Sequence, residues 1–276
     1  MAEETARYWT HPALPGVDLL RARYIRHTFG RHTHDTYVIA AITEGVEEFQ
    51  YRGSTERAGA GSIALINPDT VHTGHSGTPD GWSYLVLYPA VEIVASVAAE
   101  LAVPGRGGGL PGFTEAVVPD RRLARLVAEV HRAAERDDGL AADTLLRLTV
   151  ARLLRAHGTP GTDGPRTAAG AAAVRRARDI LEARLIEPPT LEELASEVGT
   201  RPFPLLRAFR DAHGLPPHTW LNQQRVRRAR LLLDAGIPPA RAAAEVGFVD
   251  QAHLTRHFRR IVGVPPGAYR RERGRG

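Results

Sequence analysis

The chain has no cysteine, no lysine and a single methionine in its 276 residues. Without thiols it can form no disulfide, no thiolate metal site and no cysteine nucleophile. The missing lysine makes every one of its 36 basic residues an arginine. No apolar run approaches the ~20 residues needed to cross a bilayer. The opening Met1-Ala2-Glu3-Glu4-Thr5 is acidic and has no signal-like apolar core. A cytoplasmic location without a membrane partner is therefore expected. Hydrophobic residues make up 43% and charged residues 24%, which argues against wholesale disorder. The length allows two domains with separate cores.

The arginines are unevenly spread. Residues 1–165 carry a net −4 (16 arginines, 20 acidic residues) and residues 166–276 a net +9 (20 arginines, 11 acidic residues). Such a split suggests one domain that meets a polyanion and another that does not. The sign changes across His157-Gly158-Thr159-Pro160-Gly161-Thr162-Asp163-Gly164-Pro165, an interdomain linker by composition.

Ahead of the linker, short β-branched and aromatic runs predict strands at 19–24, 37–42, 46–51, 62–66 and 82–88, punctuated by glycine, proline, Asn67 and Asp69. That spacing indicates a sandwich or a small barrel. A helical hairpin follows. Asp120 can cap its first helix, and Leu140, Leu145, Leu146, Leu148, Val150, Leu153 and Leu154 leave its second apolar on more than one side. Packing against the strands and forming a homodimer contact are both open uses of that surface.

Behind the linker a motif recurs. Glu197-Val198-Gly199 returns as Glu245-Val246-Gly247, Leu205 and Phe209 as Leu254 and Phe258, and Gly214 with Pro216-Pro217 as Gly263 with Pro265-Pro266. Each copy reads as a helix, a glycine turn and a second helix, so duplicated helix-turn-helix units account for the repeat. In the first copy Thr190 and Glu193 form a capping box, Pro202 starts the second helix, and Arg201, Phe203, Arg207 and Arg210 are left outward. In the second copy Asp250, Gln251, His253, Thr255, Arg256 and Arg259 remain for a partner. A single helix from about Pro217 to Ala235 joins the copies; at ~28 Å it can hold two reading helices about one DNA turn apart.

Residues 190–271 strongly resemble the AraC/XylS family of bacterial transcription regulators. The match is carried by Ala242-x-x-x-Val246-Gly247-Phe248-x-Asp250-Gln251-x-His253-Leu254-x-Arg256-x-Phe258-Arg259-x-x-x-Gly263-x-x-Pro266-x-x-Tyr269. The resemblance implies a first reading face at Arg201, Phe203, Leu206 and Arg207 and a second at Gln251, Thr255 and Arg256. Leu206 stands where a polar reader is common, which implies an apolar contact such as a thymine methyl. Double-stranded DNA is the implied partner, with RNA polymerase added if the protein activates.

His32-Thr33-His34 and Asn67-Pro68-Asp69-Thr70-Val71-His72 make the strand segment resemble the cupin-like effector domain of the same family. Strand alternation puts His32 and His34 on one face, within reach of His72 across a barrel. A pocket in which these histidines hydrogen-bond a small-molecule effector, lined also by Glu47, Phe49, Trp82 and Tyr84, is the expectation. The alternative is a metal-dependent cupin enzyme or metal sensor fused to a DNA-binding domain, because three imidazoles can bind Zn²⁺, Ni²⁺ or Fe²⁺. Against it, Val38 and Ile39 stand where metal-binding cupins place a glutamate after the histidine pair.

The resulting expectation is an α+β two-domain protein. A cupin-like β-barrel effector domain occupies 1–110, a helical hairpin 111–157, a linker 158–169, and an all-α DNA-binding domain with two helix-turn-helix units 170–276. No enzymatic activity, cofactor or resident metal is expected.

Overall fold

The computed structural model describes residues 3–101, 110–159 and 168–273. The glycine-rich run 104–109 and the central linker residues 160–167 lie outside them. The chain divides into two compact units, Met1–Asp163 and Gly164–Gly274.

In the first unit eight strands precede any helix: β1 (Thr5–Thr10), β2 (Val17–Tyr24), β3 (Phe29–His32), β4 (Val38–Tyr51), β5 (Ser54–Gly59), β6 (Ile63–Ile66), β7 (His72–Ser76) and β8 (Trp82–Pro89). Then come α1 (Val91–Leu101), the short strands β9 (Gly112–Phe113) and β10 (Val117–Val118), helices α2 (Arg121–Glu135) and α3 (Gly139–His157), and β11 (Gly158–Thr159).

The two strands expected at 37–42 and 46–51 are one strand of 14 residues, β4. Its first part pairs with β6 and β8, its last part with β5 and β7. The change of partners falls at Gly45, where φ is +67° and an added Cβ would lie 2.0 Å from the Gly81 carbonyl oxygen. Only glycine permits both that backbone angle and that approach.

The strand order is β1-β2-β8-β4-β6-β10, with β5 and β7 on the far part of β4 and β3 on β7. Among the described residues no pairing joins β1 to β10 or β3 to β5, so the sheet stays open. The expected cupin-like β-barrel is therefore not formed. The physical reason is that the central strands are covered on both faces by separate layers. Leu19, Ile39, Ala41, Leu85 and Leu87 pack with Val94 of α1, Leu123, Val127 and Val130 of α2, and Leu146, Val150 and Leu153 of α3. The alternate residues Leu20, Tyr24, Ala40, Ile42, Tyr84 and Val86 are buried as well. On this face Tyr24 meets Phe29 of β3 with centroids 5.5 Å apart, and Tyr88 of β8 meets His34 in the loop after β3 at 5.2 Å. Helices, sheet and half-sheet thus form three layers, and the continuous apolar runs in β4 and β8 are those of strands buried on both sides.

The hairpin uses its apolar surface in this core. Asp120 caps α2 by accepting from the Arg122 and Leu123 amides. His131 of α2 is fully buried, with Nε2 3.2 Å from the Val86 carbonyl and its ring edge-on to Trp9. Burial pushes its pKa down to about 3. On α3, Leu140 (82% exposed) and Leu148 (38%) remain outside.

The second unit is all helix among its described residues: α4 (Ala168–Ala183), α5 (Leu191–Glu197), α6 (Pro202–His213), α7 (Pro217–Asp234), α8 (Pro239–Glu245), α9 (Gln251–Val262) and α10 (Pro266–Arg273). The two-domain α+β class and the all-α second half agree with the sequence expectation.

Candidate DNA-reading helices and histidine cluster

The Thr190–Glu193 capping box is formed, the Glu193 backbone donating to Thr190 Oγ1 and the Thr190 backbone to the Glu193 carboxylate. Leu194 and Ala195 of α5 are buried, and small Ala195 lets α6 approach. Gly199 turns the chain at φ +71°. Helix α6 opens on Pro202 and is anchored by buried Leu205 and Phe209. The second copy follows the same plan. Ala242 and Ala243 of α8 are buried, Gly247 turns at φ +85°, and Leu254, Phe258 and Val262 anchor α9. Both second helices have 12 residues and end on a left-handed glycine, Gly214 and Gly263. They are offset by 49 positions, so Arg207 coincides with Arg256, Arg210 with Arg259, and Leu206 with Thr255.

The outward sets differ in how freely they face solvent. Arg201, Phe203, Arg207 and Arg210 are exposed and Leu206 is half-buried on α6; Gln251, Arg256 and Arg259 are exposed and Thr255 half-buried on α9. Phe203 is 74% exposed, a large cost in water for an aromatic ring. Two members of the second set have local duties. Asp250 caps α9, accepting from the His253 amide at 2.6 Å, and the half-buried His253 ring packs on Phe248 and His257. Burial, then nearby His253 and arginines, lowers His257 to about 4, so it adds no charge. Arg178, Arg184 and Arg241 are held by Asp179, Glu197 and Glu245. Among the described residues no ion pair engages Arg207 or Arg256.

Two residues here escaped the sequence reading. Val249 is 89% exposed immediately before the α9 cap; a β-branched residue between Phe248 and Asp250 was the available signal. Arg225 of α7 is a structural brace. It is 9% exposed, donates through Nε to the Leu185 carbonyl at 2.8 Å, and lies over the Phe248 ring.

In the first unit His32, His34 and His72 each offer one ring nitrogen, all within 4.8 Å of one another. His32 and His72 are directly opposed residues of β3 and β7. Strand β3 ends at His32, so His34 reaches the cluster from the following loop and not, as expected, from the same strand face. Burial, then the proximity of His72, draws His32 well below its ordinary pKa; burial lowers His72 to about 4. Both are neutral imidazoles.

Ring contacts run from this trio through Phe29 to Tyr24 and on to Trp82 and Tyr84. Trp82 and Tyr84 were expected here from the sequence; Phe29, Tyr24 and Tyr88, which also join these ring contacts, resemble ordinary strand core in the sequence. Glu47 is 9% exposed and burial raises its carboxyl to about 8. Burial also raises Tyr84. Phe49 is buried against Tyr51. Trp82 Nε1 is buried without a hydrogen-bond partner among the described residues. Such orphaned donors are rare in native cores.

Residues 14–150 match the family model of an AraC-like ligand binding domain, and residues 194–272 that of a helix-turn-helix domain. The chain is 27% identical to the uncharacterized HTH-type transcriptional regulator YbfI of Bacillus subtilis, over 92% of this chain and 91% of that protein. It is 24% identical to the transcriptional activator RhaR of Klebsiella pneumoniae, over 90% of this chain and 89% of that protein. Its fold is similar to that of unsaturated fatty acid bound ToxT from Vibrio cholerae, with a TM-score of 0.56 and 15% identity over 98% of this chain and 97% of that chain. The two sequence relatives are a transcriptional regulator and a transcriptional activator, which agrees with a non-catalytic role. With an AraC-like ligand binding model matched ahead of a helix-turn-helix model, and regulators aligned along its length, these findings support transcription regulation of the AraC/XylS type.

Proposed function

We propose that α6 and α9 read two successive major grooves of double-stranded DNA, and that a small-molecule effector bound by the first unit sets which DNA-bound arrangement is populated. The observation that carries the reading is the equivalence of Arg207 and Arg256. The same position of two 12-residue helices presents an exposed guanidinium with no ion pair among the described residues. Bidentate contact with guanine is the commonest use of such an arginine in the groove. Gln251 and Thr255 add polar readers; Phe203, Leu206 and Val249 suit thymine methyls. Arg201, Arg210 and Arg259 flank them as phosphate contacts, which position without specifying sequence. Asp250 and His253 support α9 in this scheme. The connecting helix α7 has 18 residues, ~27 Å, matching a spacing of about one turn.

The effector region comprises His32, His34, Glu47, Phe49, His72, Trp82 and Tyr84. A neutral carboxyl at Glu47 and an unpartnered indole N–H at Trp82 are polar groups suited to orienting an organic ligand against aromatic walls. The fatty acid in the ToxT structure is a precedent for an organic ligand in this fold. The ligand acts only if it binds the two states with different affinity. RNA polymerase is the further partner where the protein activates. A homodimer would use Leu140 and Leu148, the apolar groups α3 leaves outside.

Selection of binding sites from random duplexes, followed by affinity measurement for Arg207→Ala and Arg256→Ala, tests the reading. Each substitution should cost about 1–3 kcal/mol on the selected site and relax its own half. Unchanged affinity in both variants would overturn it.

A further inference from the structure

We infer that His32, His34 and His72 form a three-imidazole site for one divalent first-row transition ion of the Zn²⁺ or Co²⁺ class. This property goes beyond the effector reading and holds whether or not an organic ligand controls DNA binding.

His32 and His72 are opposed residues of β3 and β7, and opposed side chains share a face of the sheet. Their Nδ1 atoms are each tied to a backbone carbonyl, His32 to Gly30 at 2.7 Å and His72 to Thr70 at 3.0 Å. A carbonyl oxygen only accepts, so each Nδ1 carries the proton and each Nε2 keeps its lone pair. Pinning one imidazole nitrogen in this way is how proteins fix the tautomer and the ring orientation of a metal ligand.

The spacing agrees. Two nitrogens ~2.05 Å from a tetrahedral Zn²⁺ stand about 3.3 Å apart, and the Nε2 atoms of His32 and His34 are 3.1 Å apart. Ring nitrogens of all three residues lie within 4.8 Å, so small ring rotations bring them to one centre. Without a metal the short contact requires His34 to donate its Nε2 proton to His32. On binding, half-buried His34 moves that proton to its own Nδ1 through solvent, with no net proton released. Three nitrogens leave the fourth position of Zn²⁺ for water or another oxygen donor. Among the described residues this is the one group of three or more such side chains with converging ligand atoms.

The experiment uses the untagged, chelator-stripped full-length protein titrated with Co²⁺. One equivalent should bind with visible d–d bands of a nitrogen-ligated, four- or five-coordinate ion, and Zn²⁺ should displace it. His72→Ala and His34→Ala should each weaken binding more than roughly tenfold. His34 is half-buried and lies beyond the end of β3, so its variant keeps the fold if His72→Ala does not. His253→Ala, at the other histidine cluster, should leave binding unchanged. X-ray absorption of the Zn²⁺ form should show three imidazole shells. Absence of stoichiometric binding, binding that survives His34→Ala and His72→Ala, or loss in His253→Ala would each overturn the inference.

Discussion

Gly199 and Gly247 occupy the same turn of the two repeats, yet alanine should harm them unequally. Both have φ in the left-handed region, +71° and +85°. A Cβ there costs roughly 1–2 kcal/mol in backbone strain alone. At Gly199 the new methyl meets nothing within 4 Å. At Gly247 it would stand 2.8 Å from Ile186 Cα, 2.9 Å from the Leu185 oxygen and 3.0 Å from Arg225 Nη2. Two of those neighbours are backbone, and the Leu185 oxygen already accepts from Arg225 Nε. Little can give way, and overpacking of this kind adds about 1–3 kcal/mol. Gly199→Ala should therefore lose about 1–2 kcal/mol and Gly247→Ala about 2–5 kcal/mol. Urea unfolding followed by far-ultraviolet circular dichroism gives the totals, and hydrogen exchange should place the excess loss in peptides of α8, α9 and the segment around 185. Equal losses at the two glycines, or a larger loss at Gly199, would show that the contacts around Gly247 do not oppose a methyl there.

Leu153 is fully buried between α3 and the sheet, so Leu153→Ala should cost about 2–5 kcal/mol by urea unfolding. His131 binds no proton when folded until near pH 3, while the unfolded chain protonates it below about 6.5. Acid therefore favours the unfolded state between these values, by about 3 kcal/mol at pH 4.5 relative to pH 7. His131→Gln should flatten that part of the stability profile, measured as urea midpoints across the range. For the proposed homodimer, Leu140→Arg with Leu148→Arg should shift sedimentation of the full chain toward monomer at micromolar concentration; an unchanged boundary would remove the hairpin face from consideration.

The second unit was more legible in the sequence than the first. Its helices are amphipathic and its punctuation is chemically explicit: the Thr190–Glu193 box, Pro202, Gly199 and Gly247 each have one local structural meaning. The strands carried less information. Residues 38–42 and 84–88 are buried on both faces, so period-two alternation vanishes and nothing in the pattern separates an open, layered sheet from a closed barrel. The fusion of two expected strands into β4 turned on Gly45, whose glycine reads as a loop signal until the approach of Gly81 is seen. The outward residues of α6 and α9 followed from helical spacing, and Asp250 caps α9 locally, three residues before the amide it accepts from; Arg225 as a brace depends on what lies across the fold. The histidine trio was visible as residues; the pinning of two Nδ1 atoms by Gly30 and Thr70 was not.

Interference footprinting of the full-length protein on its selected site shows whether α6 and α9 each occupy a major groove. Guanine methylation should block binding at two major-groove segments on one face of the duplex, centred about 10 base pairs apart. Arg207→Ala should erase sensitivity in one segment and Arg256→Ala in the other. A single protected segment, or two segments that both variants leave unchanged, would contradict the two-helix reading.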